Sequence, residues 1–214
     1  MDMELNDIEV RILGCLLEKS MTTPEYYPLS LNALTAACNQ KSNREPVVAY
    51  DETTVIRGLD SLREKQLVVL SSSSRVPKYA ENFVETRKLV SREASLLMVL
   101  LLRGPQTVGE LRARSERAHH FAELAAVEET LSELAESGYV KKLPRLAGRK
   151  ESRYVHLFAG DVEIEAEAPK PEPAAVIVRA ENERIAALED ELDRLRRELA
   201  GLQEAFERFR REFE

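Results

Sequence analysis

Apolar residues recur along the first 160 positions with two different periods, and one arrangement of these periods occurs twice. The spacing P-x-[ST]-[LV]-x-x-L begins at Pro28 and again at Pro105, 77 residues later. The spacing V-x3-L-x2-L-x4-[LY]-V begins at Val55 and again at Val127, 72 residues later. Two copies in the same order predict one structural unit that is repeated, with a five-residue difference in the loop between the two motifs.

Capping residues mark where the helices of each copy begin. Asn6, with Glu9 three residues on, forms a capping box in front of the first apolar-periodic stretch. Ser30 and Thr107 each follow an X-Pro step and precede a short apolar stretch, as helix N-caps do. A third helix is expected to begin at Asp51 or a neighbouring residue. The pattern therefore predicts a helix, a short helix and a further helix.

A strand pattern follows the third helix in each copy. The apolar period changes at residues 67–70, and Gly138 suits the left-handed position that ends a helix before residues 139–140 begin a strand. The return strand of the second copy is predicted within residues 152–158. Three helices followed by a hairpin are typical of a winged helix, although a generic three-helix domain with a hairpin fits the same pattern. The stretch at residues 96–102 is apolar on all sides, which predicts that the first unit or another subunit covers it.

A heptad repeat follows a linker of different composition. Residues 161–175 alternate three prolines with acids and alanines, as extended linkers do. Beyond the linker, the spacings between successive apolar residues alternate between 3 and 4. This heptad pattern predicts a coiled coil that forms a homodimer, or alternatively a long helix that folds back onto the winged-helix domains of its own chain. The candidate dimerisation residues are Ile185, Leu188, Leu192, Leu195, Leu199, Leu202, Phe206, Phe209 and Phe213.

The predicted fold class is mainly α with small β wings (α+β), with two tandem winged-helix domains and a C-terminal coiled-coil helix. The predicted boundaries are 1–85 and 86–160 for the two domains, 161–176 for the acidic Pro/Ala linker and 177–214 for the coiled coil.

Composition narrows the class of protein. The chain has 214 residues, two cysteines and a net charge of -7, and its N-terminal residues are acidic where a signal peptide would be basic and then apolar. We therefore expect a cytoplasmic protein with no membrane span. Residues 86–160 form the one basic segment, with 13 Lys and Arg against 9 Asp and Glu.

Several ordered runs resemble a known family. These are TTP at 22–24, YPLSLNAL at 27–34, ACNQK at 37–41, LRGPQT at 102–107 and RYVHL at 153–157. Over roughly residues 4–158 the chain resembles the uncharacterised bacterial YceH-like family. The resemblance implies tandem winged-helix domains and brings no activity, ligand or catalytic residue.

The sequence contains no recognisable catalytic or cofactor motif. Zinc-binding pairs, a nucleophile elbow, a P-loop and a dinucleotide fingerprint are all missing, and Cys15 lies among leucines as a buried structural cysteine would. We expect no enzyme, no cofactor and no metal site.

Basic and polar side chains make double-stranded DNA a candidate partner. The third helix of the second unit is rich in Glu, which phosphates would repel, so its wing and second helix are the candidates there. The polar loop 39–44 either touches DNA or hydrogen-bonds its own backbone. The candidate DNA-binding residues are Lys41, Arg44, Thr53, Thr54, Arg57, Ser61, Lys65, Arg75, Lys78, Arg112, Arg114, Lys141, Lys142, Arg145, Arg149, Lys150 and Arg153.

Two functions fit these patterns. One is a DNA-binding protein, such as a dimeric transcriptional regulator. The other is a protein-protein interaction scaffold that uses the winged-helix surfaces and the coiled coil without binding DNA. The acidic total charge favours the second, and winged helices serve both roles.

Overall fold

The structure is a computed structural model that describes residues 4–71, 76–145 and 151–160. These ranges contain seven α-helices and five β-strands. The helices are α1 (Asp7–Thr22), α2 (Leu31–Cys38), α3 (Glu52–Glu64), α4 (Phe83–Arg87), α5 (Ser91–Arg103), α6 (Val108–Ser115) and α7 (Leu124–Glu136). The strands are β1 (Leu29–Ser30), β2 (Val68–Ser71), β3 (Lys78–Glu81), β4 (Val140–Lys142) and β5 (Tyr154–His156).

Three helices followed by an antiparallel strand pair occur twice along the chain. Helices α1, α2 and α3 precede β2 and β3, and helices α5, α6 and α7 precede β4 and β5. Strand β1 pairs with the other edge of β3, and a single bridge between Gln106 and Tyr154 takes the corresponding place in the second half. The predicted α+β class and the predicted repeat of elements are confirmed.

The predicted caps begin the helices. The Asn6 side chain accepts hydrogen bonds from the backbone amides of Ile8 and Glu9, both at 3.0 Å, and Glu9 accepts from the Asn6 amide at 2.8 Å. Thr107 and Glu110 form the same reciprocal pair at the start of α6. These bonds satisfy amides that an isolated helix end leaves unpaired, so the local sequence is sufficient to place these two helix starts.

The two halves share one hydrophobic core, and α1 and α5 form its centre. An added Cβ on Gly14 of α1 would lie 2.9 Å from Leu102 Cδ2 and 3.1 Å from Leu101 Cβ of α5. The first half therefore covers α5, as the apolar stretch at 96–102 predicts. The rings of Phe83 and Phe158 pack edge to face with their centres 5.2 Å apart, and this contact joins the two halves at a second place. The domain boundary between residues 85 and 86 stays a prediction.

The remaining predicted segments lie outside the described residues. They are the linker at 161–176 and the heptad helix at 177–214 with its candidate dimerisation residues. Among the helices that are described, none combines the length and the apolarity that a membrane span requires.

The close approach at Gly14 generates a first prediction. Gly14→Ala is expected to lower the free energy of unfolding by roughly 1–2 kcal/mol, because overpacking outweighs the gain in helix propensity. Gly109→Ala is the matched control, since its Cβ would meet nothing within 4 Å in α6. The control is expected to raise the free energy of unfolding by up to about 1 kcal/mol. Urea denaturation followed by circular dichroism measures both, and equal stabilisation by the two changes would contradict the packing described.

Buried His156 generates a second prediction. Burial lowers its pKa from 6.5 to about 4, and its Nδ1 has no hydrogen-bond partner. As the pH falls, the imidazole of His156 is protonated in the unfolded chain before it is protonated in the folded protein. The contribution of neutral His156 to the free energy of unfolding is therefore complete above pH 6.5 and is lost progressively down to about pH 4. Between pH 7 and pH 5 we expect a loss of roughly 2 kcal/mol. His156→Leu should remove this loss and His120→Leu, an exposed control, should retain it; an unchanged pH dependence in His156→Leu would contradict the assignment.

Candidate nucleic-acid interface

Helix α3 presents the exposed part of the predicted site in the first half. The apolar stripe of α3, which begins with Val55, is buried. Asp51 caps the N-terminus of the helix, because its carboxylate accepts a hydrogen bond from the Thr54 amide at 2.7 Å. Thr53 and Arg57, four residues apart, are exposed on one face of this helix. A hydroxyl and a guanidinium in this arrangement can contact phosphate oxygens and base edges.

Two other candidates on this side hold α3 against α1. The Ser61 hydroxyl donates to Glu9 Oε1 at 2.5 Å, and Lys65 Nζ lies 2.7 Å from the same oxygen. The Glu9 side chain is buried, and burial by itself would raise its pKa. The bonds from Lys65 and Ser61 nevertheless hold the pKa of Glu9 below its usual value. Ser61 and Lys65 therefore have a structural role.

Arg44 is a correction to the predicted interface. Its side chain is 0% exposed, and Nη2 lies 2.6 Å from Glu18 Oε2. Nε donates to the Ala37 carbonyl oxygen at 3.2 Å. A guanidinium with no exposed surface cannot contact DNA, so we assign Arg44 to the packing of α1 against the loop after α2.

The loop at 39–44 is ordered by its own side chains. Asn39 Nδ2 donates to the Tyr50 carbonyl oxygen and Oδ1 accepts from the Tyr50 amide, both at 2.7 Å. Gln40 accepts from Arg44 at 3.0 Å. These contacts favour the second reading of the loop, in which the amides bond within the protein, while Lys41 stays exposed.

In the second half, the predicted DNA-binding residues that are exposed lie along and just after β4. Arg112 donates to the carbonyl oxygens of Phe121 and Ala122, at 3.1 and 2.7 Å, and thereby ties α6 to the loop before α7. Arg153 donates to the Pro105 carbonyl oxygen at 3.1 Å. Lys141, Lys142 and Arg145 are exposed along and after β4.

The remaining candidates fall into two groups. Thr54, Lys78 and Arg114 are half-buried, and Arg114 lies 3.5 Å from Glu110. Arg75, Arg149 and Lys150 lie outside the described residues.

At the position that corresponds to Arg57 of α3, helix α7 exposes the carboxylate of Glu129. Glu128, Glu129 and Glu136 are exposed on it, which agrees with the prediction that this helix repels phosphates. Over the described ranges, no cluster of three His, Cys, Asp or Glu side chains could hold a metal ion, and both cysteines are buried thiols.

The structure also gathers cations that the sequence analysis did not group. Lys19, Lys41, Arg103, Arg114 and Arg117 line a cleft of about 550 Å³ between the first and second halves. They come from α1, the loop after α2, the end of α5, and α6 with the turn after it. Sequence reasoning missed Lys19 and Arg103 because residues so far apart in the chain share no local pattern.

Comparisons with known proteins agree on one family. Residues 5–149 match the family model described as "Protein of unknown function, DUF480". The chain is 57% identical to a UPF0502 protein of Geotalea uraniireducens and 54% identical to one of Geobacter sulfurreducens, in both cases over 100% of both chains. It is 47% identical to a UPF0502 protein of Photobacterium profundum, over 97% of this chain and 98% of the relative.

The reassignment of Arg44 generates a third prediction. Arg44→Met is expected to lower the free energy of unfolding by roughly 2–4 kcal/mol, because Glu18 and the Ala37 carbonyl lose their buried partner. Arg57→Gln, at an exposed position, should change it by less than about 0.5 kcal/mol. Urea titrations of the two variants test the distinction, and a fully stable Arg44→Met would show that the buried pair contributes nothing.

Proposed function

This chain belongs to the DUF480 family of bacterial proteins of unknown function, and because that description names no activity, we propose from its surface that it is a double-stranded DNA-binding protein. The resemblance to the uncharacterised YceH-like family is thereby confirmed. The proposal assigns the protein to the cytoplasm and gives it no catalytic role.

The proposed architecture is a pair of winged-helix domains at 1–85 and 86–160. Support comes from the order of three helices and an antiparallel strand pair, which occurs in both halves. In such a unit the third helix is the one that enters the major groove. The domains are packed on a common core, so this proposal concerns two folding motifs rather than two independent bodies.

The observation that carries the proposal is the exposed pair Thr53 and Arg57 on α3. The two are on one helix face at the position from which a recognition helix reads bases. Lys41, Thr54 and Lys78 lie on the same half and are at least partly exposed. Two further cations of this half that the sequence nominated, Arg44 and Lys65, are engaged with carboxylates.

The second half contributes phosphate contacts through its strand pair. Lys141, Lys142 and Arg145 are exposed there, and Lys142 lies over the Tyr154 ring at 5.7 Å from its centre. The acidic surface of α7 makes this half unsuited to groove reading, so its strands rather than its third helix would approach the backbone.

Dimerisation through residues 177–214 completes the proposal. A heptad seam leaves a narrow apolar stripe that another helix must cover, and a second copy of the chain supplies an identical stripe. Two copies would place two α3 helices on one duplex, and the length of the coiled coil and linker would set the spacing of the half-sites.

A protein-interaction scaffold is the second candidate, and one surface favours it. Helix α7 exposes Leu124, at 46%, one turn before the exposed carboxylate of Glu128. An apolar side chain with an acidic rim suits a basic protein partner better than it suits DNA.

The fourth prediction tests DNA binding on the full chain. Fluorescence anisotropy with a pool of labelled duplexes should show binding with a log-log salt slope of about -5 for each bound chain, because about five exposed cations per chain would contact phosphates. Arg57→Ala should weaken the complex about tenfold, since it removes a base-edge or phosphate contact. Arg63→Ala is the control, because it removes the same charge from the last turn of α3, where Arg63 lies 3.4 Å from Asp60.

The same titrations separate the two candidate functions. Lys142→Ala should reduce the salt slope by about 1. Leu195→Lys together with Leu199→Lys should convert the dimer to a monomer by sedimentation equilibrium and weaken DNA binding. A protein that forms no salt-sensitive complex at low salt would exclude DNA binding and leave the scaffold.

A further inference from the structure

The cleft that contains Lys19, Lys41, Arg103, Arg114 and Arg117 has an excess of positive charge. Among the described residues, Glu18 is the one carboxylate that lines it, and Glu18 already lies 2.6 Å from Arg44 and 3.2 Å from Lys19. Within the described part of the chain, neither Lys41 nor Arg117 has a carboxylate at ion-pair distance. Lys19 is therefore paired with Glu18 and Arg114 lies 3.5 Å from Glu110, whereas Lys41, Arg103 and Arg117 converge on one concave place without a carboxylate at ion-pair distance among the described residues.

The cations are close enough to affect one another. Burial lowers the pKa of Arg103, and the charges of Arg114 and Arg44 lower it further. Arg103 makes one side-chain hydrogen bond, from Nη2 to Asn43 Oδ1, which is neutral. Like charges held together in a partly buried cleft repel one another, and an anion bound between them would relieve that repulsion.

The remaining lining suits a small molecule. The side chains of Thr22, Thr23 and Ser42 supply hydroxyl groups, and Met98, Val99 and Leu102 supply an apolar wall. A volume of about 550 Å³ lies in the range of small-molecule and cofactor sites. A DNA duplex is too wide and too stiff to enter a concave space of this size, whereas a phosphate group on a small organic molecule fits it.

We infer that this cleft binds a phosphorylated small molecule, with the phosphate groups on Arg103, Arg114 and Arg117 and the organic group against Met98 and Val99. Arginine is the side chain that best matches phosphate, because its planar fork donates two parallel hydrogen bonds. The ligand would contact α1 and the loop after α2 on one side and α5 and α6 on the other. This inference does not depend on DNA binding.

Isothermal titration calorimetry of the full chain tests the cleft with two probes. Inorganic triphosphate carries the phosphate chemistry alone, and ATP without a divalent cation adds an organic group. We expect each to bind at one site per chain with a Kd below about 1 mM in 150 mM salt, and ATP to bind the more tightly of the two. If triphosphate binds and ATP binds equally or more weakly, the organic group of ATP contributes nothing to affinity. That result would limit the site to inorganic polyphosphate and overturn the inference that Met98 and Val99 contact an organic group.

Variants locate the binding site. Arg103→Gln and Arg117→Gln should each weaken both probes about tenfold, because each removes a charge-assisted hydrogen bond. Arg92→Gln is the matched control, since it removes the same charge from the other end of α5, about 16 Å from Arg103. Arg117 is exposed after the end of α6, so Arg117→Gln keeps the test valid if Arg103→Gln fails to fold.

Three outcomes would overturn the inference. One is the absence of saturable heat with either probe at 50 mM salt. Another is an equal loss of affinity in Arg92→Gln and Arg117→Gln, which would show non-specific attraction to surface charge. The third is a loss of duplex affinity in Arg117→Gln with triphosphate binding unchanged, which would assign the arginines to DNA. Because the DNA titrations use Arg57 and the anion titrations use Arg117, either hypothesis can fail without the other.

Discussion

Close packing of α1 against α5 at Gly14 is the contact on which the rest of the described structure depends. Only a residue without a side chain lets the two helices approach so nearly, since a Cβ there would overlap Leu102. The contact joins the first helix of one half to the first helix of the other, so the two halves bury one core instead of two. It also sets the two walls of the cationic cleft, because Lys19 lies on α1 and Arg103 ends α5.

Two carboxylates on α1, the buried Glu9 and the partly buried Glu18, decide which cations are available at the surface. Glu9 engages Lys65 and Ser61 of the α3 region, and Glu18 engages Arg44 from the loop after α2. Removing a charge from water is costly unless a partner and further hydrogen bonds compensate it, and these groups have both. The cations on which the two proposals rest are an exposed set around α3 and β4 and the set that lines the cleft. Apart from Lys41, which lines the cleft and also supports the DNA proposal, the proposed DNA contacts and the proposed contacts to the cleft ligand are different residues.

Much of the secondary structure could be predicted because it is encoded locally. Asn6 with Glu9, Thr107 with Glu110, and Gly138 with a φ of 73° each act within four residues, and the structure has each feature where the pattern predicts it. The repeat gave independent support, since a coincidence of two motifs in the same order is rare. By contrast, the sequence offers nothing that distinguishes Arg57 from Arg44 and Lys65 as a basic residue. Only the structure shows that Arg44 and Lys65 have structural roles.

The sequence by itself determined the order of the three helices and the strand pair in each copy, their caps, the repeat and the membership of an uncharacterised family, but not β1 or α4. Only the tertiary structure decided which cations are buried, which are exposed and which converge. The physical reason is distance along the chain: Arg44 meets Glu18 across 26 residues, Lys65 meets Glu9 across 56 and Arg103 meets Asn43 across 60. A helix cap is satisfied by its own neighbours, whereas the charge environment of a side chain is set by whatever the folded core brings beside it.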